Sequence, residues 1–224
     1  VKTKGHDRFF EIIIKAVELK EHISDNLFKE DEFAHMINEL KGLISSTRRE
    51  RYESGMAEIC AECGTSGKDC CGKGIEFKYS KELLIINMLM GAEIPSKRLS
   101  ENSCYFLTEK GCSLLARHVF CINFLCQKIR DKISSERLKK LQELEGRELE
   151  LSFRLEEFIK KHLENHPTIT FTIKSDRITH ELCGSTNCYR PLSRCQETDV
   201  RRHMSDIRGR ISESKENSSS ASDI

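Results

Sequence analysis

The 224-residue sequence predicts a mainly α protein: a helical hairpin or bundle scaffold, an irregular cysteine-rich metal-binding module and a disordered C-terminal tail. Three observations point there. Long stretches repeat apolar residues at the helical spacing. Charged residues make up 33% of the chain against 38% hydrophobic, with only 3 Pro and 12 Gly, which suits amphipathic helices with solvated faces. The third is cysteine: 11 in a chain that has no Trp, most of them clustered.

Residues 7–24 and 31–53 read as the first two helices. In the second, Phe33, Met36, Ile37, Leu40, Leu43 and Ile44 form one apolar stripe that needs a partner surface. The first helix, with Phe9, Phe10, Ile13, Val17 and Ile23, is the expected partner in an antiparallel hairpin turning near residues 24–29. Residues 58–79 lose the helical period and gain glycine, and read as a loop module. A third helix starts at Ser80, whose hydroxyl suits an N-cap, and stops at Gly91 before Pro95. Its run "LLIINMLM" is apolar almost all round and predicts a buried helix. Residues 97–126 are again irregular. From Lys128 to Leu163 the helical signal returns, with Glu136/Lys140, Glu156/Lys160 and Glu157/Lys161 at the acid-first spacing of four, and a wobble at Gly146 that suggests two helices. "TITFTI", from residue 168, alternates like one short strand. The serine-rich end lacks the apolar surface to order itself. The expected divisions are 1–57 as helical hairpin, 58–127 as metal module, 128–165 as helical segment and 166–224 as low-order tail.

Composition excludes some functions. The net charge of +1 gives no global field toward nucleic acid or anionic membrane. "STRRERY" (46–52) reads as a solvated helix face, and "DVRRHMSDIRGR" (199–210) mixes acids with its bases, so nucleic-acid binding is not expected. No stretch reaches the roughly 18 uncharged apolar residues of a membrane span, and the N-terminus lacks the regions of a signal peptide, so a cytoplasmic protein is expected. There is no phosphate-binding glycine loop, zincin motif or nucleophile elbow. Whether the chain is an enzyme stays open, and catalysis has no positive signal apart from the thiols.

Those thiols carry the chemistry. Cys60, Cys63, Cys70 and Cys71 follow C-x2-C-x6-C-C, and Cys104, Cys112, Cys121 and Cys126 follow C-x7-C-x8-C-x4-C, on either side of the buried helix. A C-x2-C step lets two sulfurs face one ion, and Gly64, Gly67, Gly72 and Gly74 permit the positive backbone angles of such loops. Sulfur donors select zinc, iron or an iron–sulfur cluster over magnesium or calcium. Disulfides are the alternative; the odd count and missing export signal weigh against them. A thiol redox pair at Cys60 and Cys63 lacks its strand-then-helix context. His118, among these cysteines, is a further candidate donor. A second set, His180, Cys183, Cys188, Cys195 and His203, has spacings that match no zinc knuckle.

The run from Cys60 to Cys126 resembles the YkgJ-type cysteine-cluster proteins, described as zinc- or iron-chelating domains. The resemblance rests on Cys60 and Cys63, the pair Cys70–Cys71, Glu82 on the next helix, Cys104 with Leu107, Cys112 with Leu114, Arg117, and the last pair Cys121 and Cys126. The family's Arg-Pro is Arg117-His118 here, and the arginine that often follows the penultimate cysteine is Ile122. The resemblance implies that the eight cysteines hold zinc or iron, with a structural or partner-binding role for the helices. A more distant similarity to flagellin lysine N-methylases implies instead an iron–sulfur enzyme of redox or methyl-transfer type.

Overall fold

The computed structural model describes residues 3–65, 72, 74–109 and 111–166. The expected strand from residue 168, the tail, and the set from His180 to His203 lie outside them. Over the described residues the mainly helical class holds. Helices α1 (Thr3–Leu27) and α2 (Asp31–Glu53) are followed by α3 (Met56–Thr65), a 3-10 turn (Ile75–Lys78) and α4 (Lys81–Leu89). A two-residue hairpin, β1 (Leu107–Thr108) and β2 (Gly111–Cys112), then leads to α5 (Val119–Ile122), α6 (Gln127–Lys132) and α7 (Ser135–Asn165).

The apolar stripe of α2 is buried as its period requires, but its main partner is α7 rather than α1, and α1 lies chiefly against α4. The reason is charge as well as shape. Glu30, at the start of α2, meets Nδ1 of His162 near the end of α7 at 3.0 Å, while at the other end Arg51 pairs with Glu145, and Glu50 with Lys140 and Arg137. Only an antiparallel α2/α7 pair satisfies both ends. Phe33, Ile37 and Leu40 from α2 and Leu155, Ile159 and Leu163 from α7 share the main core with Ile13, Ile23 and Leu27 of α1. Burying one such side chain contributes about 1.5–3 kcal/mol, which is why these stripes dictate the packing.

α4 is the central element. Ser80 caps it, its Oγ accepting from Leu83 N–H at 3.0 Å, and Gly91, at φ +94°, ends it in a conformation other residues avoid. Residues Leu83 to Ile86 are buried, as expected of a helix surrounded by protein.

Two further expectations are corrected. Residues 58–65 are not loop: Cys60 and Cys63 lie on α3, whose Met56 and Ile59 pack into a second, smaller core with Ile129, Ile133 and Leu141. That core is built with α6 and α7, so the helix is stabilised by residues about seventy positions away and is illegible in the local period. The segment after residue 127 does divide in two, but at Ser134, where Oγ caps α7, and not at Gly146, which α7 passes through unbroken.

Candidate metal centre

Cys104 is buried in the main core beside Tyr105 and Phe106. The β1–β2 turn places Cys112 opposite Leu107, and α5 carries Cys121. Three of the four hydrogen bonds made by one side chain hold this segment to α4. Asn87, fully buried, donates Nδ2–H to Leu83 O and Ala116 O, both at 2.8 Å, and accepts from Leu115 N–H at 2.7 Å and Ala116 N–H at 3.0 Å. Tyr79 adds a second tie. Its hydroxyl accepts from His118 N–H at 3.0 Å and lies 3.8 Å from Cys121 Sγ.

Cys104, Cys112 and Cys121 come close enough to act on one another electrostatically. Burial pushes the Cys104 thiol up to about 12, with Glu76, Cys112 and Cys121 adding to the effect. The Cys121 thiol is also pushed up, first by burial, with Cys112 opposing its ionisation and the Tyr79 hydroxyl, Arg117 and Arg51 favouring it. Cys112 is exposed by surface area, yet its thiol is raised by the protein packed around it, against Arg117 and Arg48. These sulfurs are therefore thiols at neutral pH unless a cation stands beside them.

The backbone just after the first cysteine segment meets the strand of chain leading to Cys104. Gly72, which follows Cys71 in the chain, forms an antiparallel bridge with Ser103, which precedes Cys104. A buried clamp locks the junction. Glu76, 0% exposed, accepts from Gly74 N–H at 2.7 Å and from Arg98 Nη2 at 2.5 Å, and the other Arg98 nitrogen donates to Ser103 O. Gly74 takes φ +111° to enter this arrangement.

The other expected ligands fall elsewhere. Cys126 stands at the N-terminal boundary of α6 without a capping side-chain bond and packs on the smaller core, the one into which the neighbouring residue of Cys60, Ile59, also inserts. Cys60 is exposed on α3. The side chain of Cys63, and Cys70 and Cys71 entirely, lie outside the described residues. Cys104, Cys112, Cys121 and Cys126 form no disulfide. Among the described residues no three Cys, His, Asp or Glu side chains already stand together as a metal-holding group. Glu82 is buried, but it pairs with Lys81 rather than facing the thiols. His118 serves as the N-cap of α5, Nδ1 accepting from Phe120 N–H at 3.2 Å.

Sequence reasoning missed the polar groups that frame the site. Thr47, Glu50 and Arg51, read as part of a solvated face, point inward to α7, where Glu145 and Glu148 are buried. Burial raises both carboxyls; Arg51 is the main opposing influence at Glu145 and Arg117 at Glu148. Acids at 50, 145 and 148 recur on the apolar faces of their helices, and that misplacement was the available signal. Asn87 had a similar one, as the single polar residue in an apolar run. No family model, curated protein or solved structure matches the chain.

Proposed function

We propose that the chain is a metal-binding cysteine-cluster protein of YkgJ type, in which Cys60, Cys63, Cys70, Cys71, Cys104, Cys112, Cys121 and Cys126 supply thiolates to zinc or to iron, the latter alone or as an iron–sulfur cluster. The observation that carries this reading is the Gly72–Ser103 bridge with its Glu76–Arg98 clamp, which ties the residue after Cys71 to the residue before Cys104. The chemistry of the donor set fits. Cys104, Cys112 and Cys121 are sulfur donors from three local structures, held in a site where burial disfavours thiolate, and a bound dication offsets that cost. Unbridged thiols suit a reducing compartment, and we assign the protein to the cytoplasm. No described helix is long and apolar enough to cross a membrane. Phe120 and Phe124, each 56% exposed on either side of Cys121, give the site an apolar rim, and we assign partner binding to this rim and the helical surfaces.

Anaerobic purification followed by metal and acid-labile sulfide analysis tests the reading. Stoichiometric metal is expected in the unmodified protein, with most of it lost in Cys104→Ala and Cys121→Ala while the helical circular dichroism signal persists. Metal content unchanged in both variants overturns the ligand assignment. A colourless zinc protein supports the structural role, whereas brown protein with labile sulfide supports the iron–sulfur form.

A further inference from the structure

Beside the cysteine group, between the start of α4, α5 and the middle of α7, lies a cavity of about 80 Å³. Its polar lining is Lys78, Ser80, Arg117, His118, Ser152 and Glu156. One water needs roughly 10–15 Å³ of such space, so the cavity admits several waters or one tetrahedral ion.

The lining is unequally charged. Arg117 is half-buried yet forms no hydrogen bond or ion pair with any described residue, and neither does Lys78. Arg51, which also acts on Arg117, is paired with Glu145, and Glu148 is the carboxylate that Arg117 chiefly influences, without an ion pair between them. His118 is half-buried. Its Nδ1 accepts from Phe120 N–H, so the neutral ring carries its proton on Nε2, as a donor. The opposite side is an acceptor. Glu156 Oε2 accepts a hydrogen bond from the Ser80 hydroxyl at 2.6 Å, and Oε1 makes no hydrogen bond with a described residue. Two cations, a ring N–H and a carboxylate around one small space are complementary to an anion that also carries a proton.

We propose that this cavity binds hydrogen phosphate, with Lys78 and Arg117 taking its charged oxygens and Glu156 accepting from its hydroxyl. Sulfate has the same shape and carries no proton at neutral pH. It would set an oxyanion against the Glu156 carboxylate and leave an acceptor facing an acceptor. Selection of phosphate over sulfate is thus the signature of this particular lining, which a merely basic patch would not produce.

Isothermal titration of the full chain with sodium phosphate and with sodium sulfate, at neutral pH and matched ionic strength, tests the proposal. Saturable phosphate binding is expected, at least about tenfold tighter than sulfate. Lys78→Ala should weaken phosphate about tenfold, and Lys132→Ala, outside the lining, should not. Glu156→Gln, whose amide can donate, should abolish most of the preference by admitting sulfate. Lys78 is exposed, so its variant tests the site even where Glu156→Gln fails to fold. Absent phosphate binding, equal affinity for the two ions, or an unchanged affinity in Lys78→Ala overturns the proposal. Metal content measured on the same samples reports on the thiols separately, so failure of either reading is recognised apart from the other.

Discussion

Asn87 is a side chain whose removal cannot be absorbed locally. Its amide satisfies two backbone carbonyls and two backbone N–H groups, and all of these except the helical Leu83 O belong to the Leu115–Ala116 strap that leads to Cys121. Asn87→Leu is nearly isosteric and strands those groups without water, so a loss of about 3 kcal/mol is expected, read as a lower midpoint of denaturant unfolding with an unchanged slope. Glu50 offers a test by pH. A hydrogen bond from Lys140 holds its carboxyl below the usual carboxylate range, burial opposes this, and Arg137 adds to the lowering. A depressed carboxylate stabilises the fold above its unfolded value of about 4.3, and that contribution is lost as the pH falls through the lower folded value. Lys140 and Arg137 are largely in solvent, so Glu50→Gln is expected to cost only about 0.5–1 kcal/mol at neutral pH. Thermal melts of the two proteins should converge as the pH is brought below about 4.

Helices with their own caps and stripes were legible at the scale of the element. α2 runs over the span its period predicts, and α4 begins at the Ser80 cap and stops at Gly91. α3 was not legible, because the residues that favour it over a loop belong to α6 and α7. The acid-first pairs of α7 show the same override. Lys140 reaches Glu50 on α2, Glu156 takes Ser80 on α4, and Lys160 bonds Glu157 one position closer than the spacing of four suggests. A spacing of four contributes a few tenths of a kcal/mol, less than a partner supplied by the neighbouring helix. Gly146 follows from this view. It is exposed in the middle of α7, has no positive φ, and an added Cβ would meet nothing within 4 Å. Gly146→Ala is therefore expected to raise stability by about 0.5–1 kcal/mol, seen as a higher melting temperature with the same far-ultraviolet spectrum.

The described residues form two cores joined by α7, with Cys104, Cys112 and Cys121 set where the strap from α4 meets the segment that follows α3. Glu76 and Arg98 hold that junction, one fully buried and the other 12% exposed. Removing the cation leaves an uncompensated buried carboxylate, so Arg98→Met is expected to cost about 3 kcal/mol or more. Hydrogen exchange should then rise at Gly74 and Ser103 while the amides of α2 and α7 stay protected. The spans of α2 and α4, the stripes on α1, α2 and α7 and the buried character of α4 were determined by the sequence alone, because each depends on residues a few positions apart. Which helix lies against which was decided only in three dimensions, as were the helical setting of Cys60 and Cys63 and the inward turn of Glu50, Arg51, Glu145 and Glu148. Buried charge is tolerated only where a counter-charge from a distant part of the chain arrives at the same place, and no local pattern records that arrival.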